Sequence, residues 1–364
     1  MRKRLLGGSG WTLRMVILCV LVLGGVTPSS AEPYFKGKVI AFVVPFTAGG
    51  GTDLFGRLVA RHLPRFIPGN PKAVVRNIAG AGGVTGANLA YLAKPNGLTA
   101  LVSSGGSLMT GLARPKGVVF RLEEMQPIYS TPVGMVYFCR PILVSKPRDI
   151  MTAKGLIWGH VSPVSGVASG FVWAKALLGF NVEKMIWGYG GTSAANMAYT
   201  TGETNFSGQS TEGYLASMQQ YVDRGEAVLL FQSGVLDENG AVVRERSVPG
   251  VPTAPELYEQ IYGKKPSGKV FEAYKVVVGS RTYGKCILFP KDTPAEIMGI
   301  LRKAAIDMVK DPMFLKESEM QNPKAPHYFG ESLARSYPAG VSAAPEVIDH
   351  MREYLEKEYK VAFE

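Results

Sequence analysis

Cysteine and histidine are scarce in this sequence of 364 residues. Three cysteines are present, of which Cys139 and Cys286 lie beyond residue 31, and there are four histidines. No C-x-x-C or H-E-x-x-H spacing brings these residues together as zinc ligands. The sequence therefore predicts no metal site. It leaves open whether Cys139 and Cys286 form a disulfide or stay buried as thiols.

Motifs for nucleotides and for an activated serine are also missing. The glycine-rich segments lack the lysine of a P-loop, and Gly80, Gly82 and Gly86 miss the G-x-G-x-x-G spacing by one residue. No serine lies in a G-x-S-x-G elbow. We therefore expect no cofactor, and a hydrolase that uses a loop serine is kept as an alternative.

Blocks of basic residues and long apolar runs are absent after the first 31 residues. Arg2, Lys3, Arg4 and Arg14 precede an apolar run of Met15–Val26, and Ser29-Ser30-Ala31 follows. This order is typical of a secretory signal peptide, residues 1–31, cleaved near Ala31. A retained anchor is the alternative, although the run is short for a membrane span.

An exported chain would reside in the periplasm. Loss of the four basic residues lowers the formal net charge of +11 by four, to +7, and the remaining charges are scattered. A general positive field favours small anionic molecules, whereas nucleic acid binding requires a clustered basic surface. We expect no nucleic acid partner.

Glycine, by contrast, is abundant and grouped. Three glycine-rich loops, at 49–51, 80–83 and 188–191, each follow an apolar, β-branched run and precede a stretch with helical spacing. Alternation of strand, loop and helix predicts an α/β fold with parallel strands. Thr52 is the expected N-cap of the first helix, and Phe271–Phe289 is expected to be extended.

A glycine loop at a helix start exposes backbone N–H groups at the positive end of the helix dipole. Such a loop is able to bind a carboxylate, and glycine permits close approach of the ligand. The alternative is that each loop is only a turn between a strand and a helix. Asp53 either holds the loop or the ligand, or complements the dipole of its own helix. A valine at Gly50 is expected to abolish binding.

Two long stretches resemble a known family. "PFTAGGGTDLFGRLVARHL" and "NIAGAGGVTGANLAYLAKPNGLTALVSSG" resemble the extracytoplasmic solute receptors of tripartite tricarboxylate transporters, the Bug family. "VPTAPEL" and "LFPKDTPAEIMGILRKAA" resemble later segments of these receptors. Asn96 stands where the family usually has aspartate. The similarity is strongest before residue 110.

The resemblance implies the type II periplasmic binding protein fold, with two lobes, two crossover segments and a ligand cleft between the lobes. We expect lobe 1 to comprise 32–140 and 270–364, and lobe 2 to comprise 141–269. The implied function is capture of a small carboxylate, dicarboxylic or aromatic, by a monomer that delivers it to membrane permease subunits, without enzymatic activity. A sensor subunit of a membrane kinase is an alternative.

The family's ligand-binding residues are carried over to matching positions. They are Phe46, Thr47, Ala48, Gly49, Gly50, Gly51, Thr52, Asp53, Gly82, Gly83, Ser103, Ser104, Ser162, Ser165, Tyr189, Gly190, Gly191, Thr192 and Ser210. Ser207–Ser210 replaces a segment that usually contains aspartate and asparagine, which argues against an amino acid ligand. Four aromatic residues are either pocket walls for an aromatic acid or core residues: Phe46, Trp158, Trp187 and Tyr189.

Overall fold

The computed structural model describes residues 32–237 and 240–363; the predicted signal peptide lies outside these residues. The strands are β1 (Val39–Val44), β2 (Lys72–Asn77), β3 (Thr99–Ser104), β4 (Gln126–Thr131), β5 (Met135–Cys139), β6 (Ile157–His160), β7 (Lys184–Trp187), β8 (Phe206–Ser210), β9 (Val228–Gln232), β10 (Val235–Leu236), β11 (Val242–Val243), β12 (Lys285–Phe289) and β13 (Tyr328–Phe329). The helices are α1 (Gly51–His62), α2 (Val84–Tyr91), α3 (Gly105–Ala113), α4 (Gly166–Leu178), α5 (Thr192–Thr201), α6 (Thr211–Ser217), α7 (Gln219–Asp223), α8 (Ala254–Tyr262), α9 (Lys269–Gly279), α10 (Ala295–Met308), α11 (Pro312–Gln321), α12 (Gly330–Gly340) and α13 (Pro345–Tyr359).

The first lobe is built on a six-stranded sheet in the order β13-β4-β12-β3-β1-β2. β1 pairs in parallel with β2 and β3, as the strand–loop–helix alternation predicts. β12 runs antiparallel to β3 and β4, so the sheet is mixed and not purely parallel. β13 also runs antiparallel to its neighbour β4.

The second lobe is built on a five-stranded sheet in the order β7-β6-β8-β5-β9. β6 is parallel to β7 and β8, and β5 is antiparallel to β8 and β9. None of the helices in the described residues is long and apolar enough to cross a membrane.

Two short segments carry the chain between the sheets, and we call them the crossing segments. The first, 132–134, joins β4 to β5, and the second, 280–284, joins α9 to β12. The two are hydrogen-bonded to each other, from Val133 N to Arg281 O at 3.1 Å. The two-lobed α/β fold is therefore present, with two connections between its sheets.

The sheets and cores divide the chain differently from the predicted lobe ranges. β5 lies before residue 140 but pairs in the second sheet. Helices α9 and α13 lie after residue 270, yet Tyr274, Val278 and Met351 belong to the core around Phe171 of the second lobe. The C-terminal helix thus returns to the second lobe.

The prediction that Phe271–Phe289 is extended is wrong for its first half, which forms α9. Ala273, Tyr274, Val277 and Val278 are buried along one side of this helix. The spacing of these residues is helical, but the segment is rich in β-branched valines, and that composition favours the prediction of a strand. Packing on α4 overrides that propensity.

Candidate functional site

Several helices begin at a cleft between the two sheets. The first residues or N-caps of α1, α3, α4 and α5 all line it, and each helix points its positive dipole end inward. The cleft is lined by Phe46, Thr47, Gly50, Gly51, Thr52, Asp53, Ser104, Val133, His160, Val161, Ser165, Gly166, Val167, Thr192, Ser210, Arg281 and Lys285. This convergence creates a site with positive potential.

The start of α1 keeps backbone donors free. Gly50, and not Thr52, is the N-cap, and no side chain caps the helix. The first N–H groups of a helix have no partner within it, so this end faces the cleft with unused donors. Asp53 accepts hydrogen bonds from Gly49 N, Asn77 Nδ2 and Arg57 Nε, each at 2.9 Å. Asp53 therefore holds the glycine loop in place.

These bonds also fix the charge of Asp53. Burial alone would raise the pKa of its carboxyl group, but the hydrogen bonds from Arg57, Gly49 and Asn77 bring the pKa below its ordinary value. The Asp53 carboxylate is already neutralised by Arg57, its partner one helical turn away. It adds no unpaired negative charge to the cleft.

Sequence reasoning missed three buried charged residues: Lys285 and Arg281, which line the cleft, and Glu212, which pairs with Lys285. Lys285 Nζ donates to Thr52 Oγ1 at 2.9 Å and lies 2.9 Å from Glu212 Oε1. Burial lowers the pKa of Lys285, and the neighbouring Glu212 carboxylate offsets part of that effect. Lys285 and Glu212 form an ion pair that joins the first lobe to the second.

Arg281 is the third of these residues and belongs to the second crossing segment. Its Nη2 donates to Gly166 O at 2.8 Å and to Ser169 Oγ at 3.3 Å, whereas its buried Nε has no partner among the described residues. Burial lowers the pKa of Arg281 to about 10, so the guanidinium stays charged at neutral pH. An unused donor on a buried cation marks a place for an acceptor.

No sequence motif indicates that these three residues are buried near a binding cleft. Lys285 begins an apolar strand, Glu212 follows a Ser-rich strand end, and Arg281 stands in a turn, all ordinary places for charged residues. Only the antiparallel register of β12 against β3, which sets Lys285 opposite Ser104, brings the lysine to the cleft.

The loops on either side of the cleft touch each other across its entrance. Ser193 Oγ donates to Ala48 O at 2.7 Å, and Thr47 N donates to Gly190 O at 3.2 Å. The cavity behind them has a volume of about 30 Å³, which is room for about one water molecule. The two lobes are thus closed on each other.

The predicted binding residues divide into two groups. Those that line the cleft are Phe46, Thr47, Gly50, Gly51, Thr52, Asp53, Ser104, Ser165, Thr192 and Ser210. Gly82, Ser162, Tyr189 and Gly190 line an adjacent outer cavity of about 260 Å³, which shares Val161 with the cleft. We use the names cleft and outer cavity for these two spaces.

The remaining predicted residues line neither space. Ala48 and Gly49 use backbone groups within the entrance contacts and the Asp53 turn. Gly83 packs on the Phe46 ring, and Gly191 packs on Thr47. Ser103 is buried in β3.

The aromatic residues do not form a common wall. Trp158 is fully buried and stacks on Phe171 at 3.7 Å, as a core residue of the second lobe. Trp187 contacts Tyr359, and the Tyr189 hydroxyl donates to Glu203 at 2.6 Å. Of the four candidates, Phe46 lines the cleft itself.

The geometry does not support an activated serine. His160 lines the cleft, but neither of its ring nitrogens has a hydrogen-bond partner among the described residues, and burial lowers its pKa to about 3. The hydroxyl group of Ser165 donates instead to Ser162 O at 3.0 Å. A serine nucleophile needs a hydrogen-bonded base, and His160 is not one here.

The two described cysteines are free thiols. Cys139 lies in β5 and Cys286 in β12, on different sheets, and both are buried. Burial raises the pKa of the Cys139 thiol to about 12. Within residues 32–237 and 240–363, no cluster of His, Cys, Asp and Glu is arranged to hold a metal ion.

The chain is similar in sequence to several known proteins. No family model matches the chain. It is 34% identical over 138 residues to the protein BugT of Bordetella pertussis, a match that covers 37% of this chain and 40% of BugT. It is 23% identical over 309 residues to a UPF0065 protein of Bordetella bronchiseptica, covering 82% of this chain and 81% of that protein.

Solved structures share the fold. The periplasmic binding protein BugD superposes with a TM-score of 0.66 at 19% identity, over 90% of this chain and 99% of BugD. MatC from Rhodopseudomonas palustris with bound malate superposes with a TM-score of 0.64 at 17% identity, over 88% of this chain and 99% of MatC. The chain is therefore similar in sequence to Bug proteins and shares the fold of solved periplasmic binding proteins.

Proposed function

We propose that this protein is a periplasmic receptor that captures a small organic carboxylate between its lobes and presents it to a membrane transporter. The observation that carries the proposal is the excess of buried positive charge at the cleft. Arg281 and Lys285 are both buried there, and Glu212 compensates one of them. A buried charge without a partner is costly, so this cleft favours an anion.

The helix starts strengthen the same preference. The dipoles of α1, α3, α4 and α5 add partial positive charge, and the backbone donors of α1 remain unused. A carboxylate accepts several hydrogen bonds in one plane and so matches the unused Arg281 Nε together with backbone N–H groups.

The rest of the ligand would meet apolar walls. Val133, Val161, Val167 and the Phe46 ring line the cleft, and the outer cavity adjoins it at Val161. A ligand with its carboxylate group in the cleft and its carbon skeleton directed toward the outer cavity would contact both the positively charged groups and the apolar walls. MatC, which shares the fold, holds malate.

Entry and release require the lobes to separate. The closed cleft has room for about one water molecule, and the contacts of Thr47 and Ser193 close its entrance. Rotation about the two crossing segments would open it, as in hinge closure of binding proteins. Because Arg281 belongs to a crossing segment, a ligand that contacts it acts directly on the hinge.

A panel of aliphatic and aromatic carboxylates, assayed by thermal shift and calorimetry, tests the proposal. We expect at least one acid to raise the melting temperature of the wild-type protein without being converted, as judged by NMR of the recovered ligand. Arg281→Gln should weaken that binding by about tenfold to a hundredfold, the value of one or two charged hydrogen bonds.

Arg224→Gln is the matched control, because Arg224 is an exposed arginine that pairs with Glu226 away from the cleft. It should bind like the wild type. No shift with any carboxylate, or equal binding by the Arg281 variant, would contradict the proposal. Conversion of the ligand would favour the hydrolase alternative.

A further inference from the structure

Glu212 extends its carboxylate from the second lobe to the first. It lies at the start of α6, is buried, and pairs with Lys285 of β12 at 2.9 Å. A Cβ atom added to Gly51 would lie 2.7 Å from Glu212 Oε1. The Glu212 carboxylate therefore lies against the first residue of α1, beside the unused donors of that helix.

This is the position that the sequence predicts for a solute carboxylate. The protein has placed its own carboxylate beside this helix start, so Lys285 already has an anionic partner, while the N–H groups of α1 donate no hydrogen bond to Glu212. Apart from the ion-pair contact, no hydrogen bond of good geometry reaches either oxygen of Glu212 from the described residues. The cation that still lacks a charged partner is Arg281, which donates only to neutral oxygens.

The charges around the cleft can be added. At about pH 6, Lys285 and Glu212 compensate each other, Asp53 is paired with Arg57, His160 is neutral and Glu245 is largely protonated. Arg281 contributes one positive charge that the others leave unbalanced. One negative charge on a ligand would complete the balance, and a second would be buried without a cation.

We propose that Glu212 is a specificity-determining residue that restricts the cleft to monocarboxylates. This inference rests on the proposed function and narrows its ligand class. The Glu212 carboxylate lies against Gly51 and Lys285, where a second carboxylate group of a ligand would otherwise meet the start of α1 and a cation. A dicarboxylate would have to displace Glu212 from Lys285, and the displaced carboxylate would remain in a buried place.

The experiment compares acids of matched skeleton: benzoate with terephthalate, and hexanoate with hexanedioate. Calorimetry at about pH 6 keeps Glu245, whose charge would interact with that of Glu212, largely protonated because burial raises its pKa to about 7. In the wild type we expect the monocarboxylate of a binding pair to have at least tenfold higher affinity. Glu212→Gln keeps the side-chain volume, removes the charge, and should reduce or reverse that ratio by at least tenfold.

Glu226→Gln, which removes an exposed carboxylate of the second lobe, is the control and should keep the wild-type ratio. A wild type that prefers the dicarboxylate overturns the inference even if the Glu212 variant does not fold, and so does an unchanged ratio in a folded Glu212→Gln protein. In both cases carboxylate binding itself stands. Absence of binding to every acid would contradict the proposed function instead.

Discussion

Glu245 is a buried carboxyl group behind the cleft, next to the first crossing segment. It accepts a hydrogen bond from Thr211, and a Cβ atom on Gly134 would collide with its Oε2. Burial, and to a lesser extent the nearby Glu212, raise its pKa to about 7, although the hydrogen bonds from Thr211, Ser247 and the Gly134 backbone act in the opposite direction. The protonated form of Glu245 is therefore the form that fits this site.

The stability of the protein should fall as Glu245 ionises. The unfolded chain loses this proton near the ordinary value of about 4.3, whereas the folded protein keeps it until about pH 7. The stabilisation is fully present below about pH 4.3 and is lost as the pH rises to about 7. Relative to the wild type, Glu245→Gln should gain on the order of 3 kcal/mol between about pH 4 and pH 8.

Denaturant unfolding at a series of pH values measures this difference. Glu183→Gln, at an exposed position on the same lobe, should follow the wild-type curve. A Glu245→Gln protein whose stability runs parallel to the wild type over this range would show that Glu245 titrates normally.

At the scale of elements, the starts of α3 and α4 approach each other with no room for a side chain. A Cβ atom on Gly106 of α3 would collide with the backbone N of Gly166, the first residue of α4. The contact is between backbones, so a flexible side chain cannot relieve it. This glycine pair sets how closely the two helix starts meet beside Arg281, which donates to Gly166 O.

Gly106→Ala should destabilise the protein by roughly 1–3 kcal/mol, the usual cost of overpacking. Gly299→Ala is the control in the exposed part of α10, where nothing lies within 4 Å of the added atom. It should stabilise by roughly 0.5–1 kcal/mol, because alanine is the better helix former. Melting temperatures that move in the same direction for both variants would contradict this packing argument.

At the scale of the whole molecule, function depends on how the lobes close. Gly51 of the first lobe meets Ser210 and Glu212 of the second so closely that a methyl group would collide with both. Gly50 has no such neighbour, since the nearest atom to an added Cβ is Ser193 N at 4.0 Å, and its φ of −83° suits any residue. Gly51 is therefore the position at which a side chain opposes closure, whereas the expected loss of ligand binding with a valine at Gly50 stays a prediction.

Gly51→Ala should hold the lobes apart. In small-angle scattering, the wild type with a bound carboxylate should reach a smaller radius of gyration than Gly51→Ala under the same conditions, and its ligand should bind at least tenfold more tightly. Gly50→Ala should behave like the wild type. If the two alanine variants close equally well, then Gly51 does not control closure.

Local patterns made much of this fold predictable. The apolar runs before the glycine loops form β1, β2 and β7, and α1, α2 and α5 follow these loops as the pattern predicts. α9 was missed because its valines resemble a strand, and α3 because its small residues, from Gly105 to Ala113, give little helical signal. Short-range geometry decides where glycine turns and helix starts occur, and sequence records that geometry directly.

What the sequence determined by itself is therefore the α/β class, the glycine loops at helix starts and the resemblance to solute receptors. What only the tertiary structure decided is the charge of the cleft: Arg281, Lys285 and Glu212 are far apart in sequence from Gly51 and meet through sheet register and lobe closure. The physical reason is that a charged residue in a turn or at a strand end looks the same whether it faces solvent or a buried cleft. The role of such a residue depends on the neighbouring groups that only folding brings next to it.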